Sequence, residues 1–386
     1  MKRILFISSE FPPGPGGIGT HAFQLAQYHS SQGWNVHVVS PQNYAEEKEI
    51  AAFNANLPFR ISRLPSAASR LLQSMLRFQT IWRVIRSFNP HLVLASGSHA
   101  IWVTAIILRF HKIPWVLVGH GTEFGVQSGI RARITRLAGN QAHMVICVSR
   151  YTQKALLTLG IKQPPSLVIH NGADHTRFYQ LPDHEVAVFR AAQAVEGQFV
   201  LLTVGSVTNR KGQEVVIKAL PRIIQEFPNV QYWMAGLPNK QSELEALARG
   251  LGVDHHLRFW GRIHDEALLM LYNACDLFVM TSRQLSDGDF EGYGIAVIEA
   301  ALCGKAAVVS DNSGLTEAVQ HDYTGLLVPQ NEPEQTAEAI LVLIKDPQKR
   351  ALFEAQSRKN AIEHQTWEQV GARYVKVFNQ LLAKEN

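Results

Sequence analysis

Two glutamates, Glu291 and Glu299, stand eight residues apart around the run Gly292-Tyr293-Gly294-Ile295 and the start of an apolar helical stretch over Ile295–Leu302. Glycines at 292 and 294 let backbone N–H groups approach a ligand closely, and the helix that follows aims its positive end at the same place. Glu299, about one turn inside, reaches a different part of an extended ligand. Val297, Ile298, Ala300 and Ala301 surround it, and a buried carboxylate without a partner is costly. That weighs against an ordinary helix role.

A second run, Val204-Gly-Ser-Val-Thr-Asn-Arg-Lys-Gly212, reads as a strand, a turn with two adjacent cations, and a helix. Arg210 and Lys211 there suit a diphosphate; a solvated basic loop is the even alternative. The third run is Gly14-Pro-Gly-Gly-Ile-Gly19, a literal GxGxxG. A dinucleotide site would need a tighter turn than Ser9–Pro13 leaves, and an acid where Val38-Val39-Ser40 ends the next strand. An anion cradle and a turn that merely needs glycine are then about equal readings. His120 ends the apolar run Trp115–Gly119 and precedes Gly121; on its own, such a histidine is more often structural. Asp287-Gly-Asp289 imitates a metal-binding pair but lies in a polar loop and is read as solvated.

The elements that must position these residues alternate. Strands are expected at Ile4–Ser8, Asn35–Ser40, Leu92–Ser96, Trp115–Gly119 and Met144–Val148, with a helix over His21–Gln32. After a polar stretch read as a linker near 175–197 the pattern restarts. Strands are expected at Phe199–Val204, Val230–Ala235, Leu257–Trp260, Leu277–Met280 and Ala306–Ser310, and helices at Gln213–Glu226 and Pro333–Lys345. Short apolar strands separated by helices imply parallel, doubly wound sheets. Such sheets bind ligands at the carboxyl ends of their strands. The tail Trp367–Leu382 has helical spacing with one apolar face.

A chain of 386 residues favours two domains. Cys147, Cys275 and Cys303 each lie in an apolar run with no CxxC pair, which argues against disulfides or structural zinc and for a reducing cytoplasm. The start of the chain lacks the features of a signal peptide, and the apolar run Ile101–Leu108 is too short to span a bilayer. Charge is uneven: residues 1–180 carry 18 Lys+Arg against 6 Asp+Glu, and residues 181–386 carry 19 against 26. The first half therefore meets something anionic: nucleic acid, a membrane surface or a phosphorylated substrate. The segment Arg63–Phe88 threads Arg63, Arg70, Arg77, Arg83 and Arg86 among apolar residues. Arginines 63, 70 and 77, seven apart, are expected on one helical face. A membrane-surface helix and a core-packing helix with solvated arginines are even readings.

Taken in order, these motifs resemble the retaining glycosyltransferases of family four, with the GT-B fold. GGIGTH (Gly16–His21) resembles that family's glycine loop, HGTE (His120–Glu123) its strand-end histidine motif, and HNGAD (His170–Asp174) its interdomain segment. GSVTNRKG (205–212) resembles its phosphate loop, WGRIHDEAL (260–268) and ACDLFVMTS (274–282) its nucleotide pocket, and Glu291–Glu299 its paired-glutamate signature. The resemblance covers nearly the whole chain. It implies two Rossmann-like α/β domains facing each other across a cleft. Residues 1–178 would form the acceptor side, with helix 366–386 packing back on it, and residues 179–365 would bind the donor.

Carried over, the resemblance makes His120 and Glu291 the catalytic candidates, with Glu291 holding sugar hydroxyls rather than acting as nucleophile. Gly292, Tyr293, Gly294 and Ile295 would hold the sugar through their backbone. Glu299 would hold the ribose, and Ile263, after Arg262, would meet the base. Lys211, the N–H of Gly17 beside Gly16, and Arg210 would bind the diphosphate, and Asn171 belongs to the interdomain segment. Ser206 departs from the pattern, because the family usually places arginine there; either Arg210 substitutes for it or binding of the donor phosphate is altered. The implied reaction moves a hexosyl group from a nucleotide-sugar, UDP-glucose or a related UDP-hexose, to a glycan or lipid-linked acceptor. It needs no metal and no cofactor beyond the donor, and belongs to cell-surface or exopolysaccharide assembly. The expected location is the cytoplasm; peripheral contact with the anionic inner face of a membrane is one of the two even readings of Arg63–Phe88. The alternatives are an epimerase or phosphorylase on the same fold and a basic nucleic-acid-binding protein. The last lacks recognition motifs, so no nucleic-acid partner is expected.

Overall fold

The computed structural model describes residues 1–386 except Pro15, Tyr44, Val126, Gln127, His264 and Asn386. Pro15 of the first glycine motif, His264 of the nucleotide-pocket segment and the final residue of the tail thus lie outside the described residues. The chain forms two compact units: Met1–Asn171 with Trp367–Asn386, and Gly172–Thr366.

The first unit runs β1 (Arg3–Ser8), α1 (Gly17–Ser31), β2 (Asn35–Ser40), α2 (Glu47–Ala55), β3 (Arg60–Arg63), α3 (Arg70–Phe88) and β4 (Leu92–Ser96). It continues with α4 (Ser98–Leu108), β5 (Trp115–Gly119), α5 (Thr122–Gly125), α6 (Gly129–Gly139), β6 (Met144–Cys147), α7 (Arg150–Leu159) and β7 (Ser166–Val168). All strands are parallel, in the order β3-β2-β1-β4-β5-β6-β7. The central strands are apolar and buried on both faces, as a sheet covered by helices on each side requires. Chain order reverses beside β1 and β4, and it is the carboxyl ends near such a point that an open parallel sheet offers to ligands.

The second unit runs α8 (Asp183–Ala192), β8 (Phe199–Val204), α9 (Gln213–Glu226), β9 (Val230–Ala235), α10 (Gln241–Leu251), β10 (Leu257–Gly261) and α11 (Asp265–Ala274). It continues with β11 (Leu277–Met280), α12 (Ile295–Leu302), β12 (Ala307–Ser310), β13 (Gly325–Val328), α13 (Pro333–Lys345) and α14 (Pro347–His364). Its six parallel strands are ordered β10-β9-β8-β11-β12-β13, again doubly wound. The last helix, α15 (Trp367–Glu385), belongs to the first unit and packs on α1 through buried Trp367, Val370, Tyr374 and Phe378.

Three local expectations are corrected. The first helix begins at Gly17, inside the glycine loop, rather than at His21. The stretch read as linker carries α8, a helix with no fully buried residue, which packs on α11. Arg63 ends β3 and pairs with Glu47 at 2.6 Å, so it shares no helical face with Arg70 and Arg77.

Candidate active site

In the second unit, β8 runs into a 3₁₀ turn over Asn209–Lys211, and Gly212 leads into α9. Glu291 lies beside that turn, and Glu291 Oε2 accepts from Lys211 Nζ at 2.8 Å and from Arg210 Nη1. Arg210 Nε also pairs with Asp289 Oδ2 at 3.1 Å. Burial pushes the Glu291 carboxyl up, but Lys211 and Arg210 outweigh it and hold it down at about 2. Glu291, chiefly, raises Arg210 further. Two cations and two carboxylates therefore compensate one another at a helix start. Asp289 is correspondingly not the solvated residue expected from the sequence: it is an arm of this network.

Gly294 caps α12 with φ +91°, and a Cβ there would sit 2.4 Å from Leu315 Cδ2, so both conformation and space require glycine. The main chain of Gly292–Ile295 thereby passes between Glu291 and the first turn of α12. Tyr293 turns its side chain inward, where its hydroxyl accepts from Gln365 Nε2 at 2.9 Å, leaving only its main chain for a ligand. Glu299 is partly buried, and Tyr272 Oη donates to its Oε2 at 2.7 Å, the hydrogen-bonded partner that its apolar surroundings demand. The carbonyl of Ser206, just past β8, accepts from Gln213 Nε2 at 3.2 Å. Arg262 is exposed and Ile263 partly buried in the loop after β10.

In the first unit, His120 follows β5, and its Nε2 lies 2.9 Å from Ser96 Oγ at the end of β4. Glu123 folds back on the turn, its Oε2 accepting from the backbone N–H groups of His120 and Gly121 at 3.0 Å each. The His21 ring meets His120 edge-on at 4.8 Å, and its Nε2 lies 3.0 Å from Tyr374 Oη. Burial drives the His120 pKa down to about 3 and, with His120 nearby, lowers His21 as well. Both rings are neutral near pH 7 and present dipoles rather than charge. Gly16 and Gly17 are exposed at the start of α1; a Cβ on Gly16, at φ +142°, would meet Glu10 Oε2 at 2.1 Å. Asn171, buried at the end of this unit, has an Oδ1 with no protein partner.

The sequence-derived candidates thus fall into two groups. His120, Gly16, Gly17 and Asn171 lie in the first unit. Glu291, Arg210, Lys211, Ser206, Arg262, Ile263, Gly292–Ile295 and Glu299 lie in the second. Sequence reasoning passed over Ser96, Tyr272 and Tyr374 and gave Glu123 no role of its own. Ser96, Tyr272 and Tyr374 act through partners that are distant in sequence, whereas Glu123 acts on the backbone of its own turn.

Residues 15–177 match the family model described as Glycosyltransferase Family 4, and residues 187–360 match Glycosyl transferases group 1. The chain belongs to the GT-B glycosyltransferases. This glycosyltransferase is 25% identical over 389 residues to the GDP-mannose-dependent monoacylated alpha-(1-6)-phosphatidylinositol monomannoside mannosyltransferase of Corynebacterium glutamicum, covering 98% of each chain. It is 27% identical to the GDP-mannose-dependent alpha-(1-6)-phosphatidylinositol monomannoside mannosyltransferase of Mycolicibacterium smegmatis, covering 97% of this chain and 98% of that one. Its fold is similar to the crystal structure of Anabaena HepE in complex with UDP and glucose, with a TM-score of 0.85 and 22% identity over 98% of this chain and 100% of that one. Among the described residues of the glycosyltransferase, no group of three or more His, Cys, Asp or Glu could hold a metal ion. No helix among them is long and apolar enough to cross a membrane.

Proposed function

We propose that the enzyme is a retaining hexosyltransferase that uses a UDP-hexose, with UDP-glucose first among candidates, and transfers to a glycan or lipid-linked acceptor in cell-surface polysaccharide assembly. The observation that carries this reading is the network of Arg210 and Lys211 with Glu291 at a helix start. Breaking a glycosyl–phosphate bond builds negative charge on the diphosphate, and fixed cations and N–H dipoles aimed there stabilise it. Phosphate oxygens compete with Glu291 for the two cations, which frees that carboxylate to accept from sugar hydroxyls. Glu299 takes the ribose, Ile263 and Arg262 border the base, and the main chain of Gly292–Ile295 with Gly17 completes the contacts to sugar and diphosphate. His120 acts at the sugar as a neutral donor or acceptor. Same-face attack, with the departing phosphate taking the acceptor proton, requires no protein nucleophile.

HepE bound to UDP and glucose supports the uridine donor. A GDP-mannose donor is the second reading, favoured by the two mannosyltransferase relatives, which match over nearly their whole length. Thermal stabilisation by UDP, GDP and their hexose conjugates decides between them, because a ligand stabilises in proportion to the logarithm of its concentration over Kd. The expected result is stabilisation by UDP-hexoses, with donor turnover unchanged in EDTA. Stabilisation by GDP-mannose alone selects the second reading. No stabilisation by any nucleotide-sugar would end both, and activity restored only by added magnesium or manganese would end the metal-independent mechanism.

A further inference from the structure

From Ile50 to Ala173 the chain has 14 Lys+Arg and a single acid, Glu123, and that acid is buried. Three helices of this stretch, α3, α4 and α6, pack into one core against the same sheet. On α6 the buried side is made of Ala132, Thr135, Ala138 and Gly139, and Trp102 of α4 donates from its Nε1 to Thr135 Oγ1 at 2.9 Å. Small residues inward leave every large one outward. The exposed side of α6 consists of Ile130, Ile134 and Leu137, one helical stripe, with Arg131, Arg133 and Arg136 set among them. Ile130 is 75% exposed and Leu137 57%. On α4, which packs on α6, Ile106 is 56% exposed, and just past its end Phe110 is 83% exposed, followed by His111 and Lys112.

We infer that this α4–α6 face of the first unit docks on an anionic lipid surface. Scattered exposed apolar residues are ordinary, but branched and aromatic side chains along one stripe, interleaved with arginines, match a helix lying in a bilayer interface. The charge pattern selects the occupant. A second copy of the same face would bring arginine against arginine. Nucleic acid would reward the arginines but leave Ile130, Ile134, Leu137 and Phe110 in water. A lipid interface accepts both: acyl chains take the apolar stripe and headgroups the guanidiniums. The sequence placed its membrane candidate on Arg63–Phe88. With Arg63 drawn into β3, α6 carries the more regular pattern, and α3 adds exposed Leu71, Leu72 and Met75. Chain order gives the face a purpose. In chain order α5 and then α6 follow the turn that carries His120, so docking would hold that turn close to the bilayer. Resting on the transferase reading above, this selects the lipid-linked class among the acceptors proposed there.

The test is flotation of the full-length protein with phosphatidylcholine vesicles and with vesicles that also contain phosphatidylglycerol, at low and physiological salt. The protein should float with the anionic vesicles and not with the neutral ones, more strongly at low salt. Arg131→Glu with Arg133→Glu, and separately Ile134→Ser with Leu137→Ser, should each weaken binding about tenfold or more. UDP release from the donor in solution should stay at the wild-type rate in both variants. Absence of flotation with anionic vesicles at low salt would overturn the inference, as would undiminished binding in both variants. Binding to RNA or duplex DNA that survives Ile134→Ser with Leu137→Ser, in place of vesicle binding, would overturn it in favour of nucleic acid. Flotation without donor turnover would uphold the surface and reject the transferase reading, so the two fail separately.

Discussion

In the second unit Arg210 and Lys211 close on Glu291, Arg210 also on Asp289, Arg190 on Asp276 and Arg283 on Glu214. In the first unit Arg131 and Arg133 face outward on a helix without an acid, and Lys112 is exposed in the loop after α4, while the polar groups near His120 are neutral or held by backbone N–H. The contrast separates two uses of positive charge. On the function proposed above, the cations that meet the leaving group are kept in place by carboxylates until phosphate competes for them. Left unpaired in a partly buried turn, they would repel each other and pay for lost hydration. Cations that must meet an extended surface need no such partner, because solvent already satisfies them.

Turnover should break this comparison most visibly. His120→Ala is expected to lower it by about two to four decades with the fold retained, the range typical of a lost positioned polar or acid–base group. Affinity for free nucleotide should stay unchanged, because the contacts proposed for the nucleotide do not include His120. Lys211→Ala should cost about two to three decades and weaken the nucleotide as well. Steady-state rates with calorimetry on both variants check this, and nucleotide affinity lost equally in the two would remove the distinction.

Stability against pH should sharpen it next. Burial, opposed by hydrogen bonds from the turn, raises Glu123 from 4.5 to about 7. A raised carboxyl pKa means that the folded state binds the extra proton between those values. Its contribution is complete below pH 4.5 and fades as pH rises through 7, by about 3 kcal/mol. Glu291 runs the other way. Its pKa falls from 4.5 to about 2, so its contribution is complete above 4.5 and fades as pH drops toward 2, again by about 3 kcal/mol. Denaturant midpoints across pH should therefore lose the neutral-range slope in Glu123→Gln and the acid-range slope in Glu291→Gln. Unchanged slopes in both would show that neither carboxyl titrates as its surroundings imply.

The smallest effect is the most discriminating within one unit. Glu299→Ala should weaken free nucleotide by about 1.5–3 kcal/mol, the worth of a charge-assisted hydrogen bond. Glu291→Gln should leave that affinity equal or improve it, since it removes a competitor for Arg210 and Lys211. Equal losses in calorimetry would sink this division of labour.

Much of the fold was legible because its signals are local. Asn35–Ser40, Leu92–Ser96, Phe199–Val204 and Gln213–Glu226 fall where apolar runs and turn residues placed them, since strand and helix periods and backbone freedom at glycine are properties of neighbouring residues. The edge strands β3 and β7 escaped because they are short and hold no fully buried residue, and β13, an apolar run of four, was passed over as well. Glu291, Lys211, Glu299 and His120 stood out as candidates through their motifs. What only the tertiary structure decided is how they are paired. Asp289 on Arg210, Tyr272 on Glu299, Ser96 on His120 and Tyr374 on His21 join residues whose meeting depends on strand order and helix packing. The face of α6 belongs with them. Its arginines and isoleucines are plain in the chain, but which side faces water was decided by Ala132, Thr135 and Ala138, small enough to let α4 and the sheet close over them. Periodicity is carried by the chain itself, whereas a charge finds its partner only through the closure of distant elements.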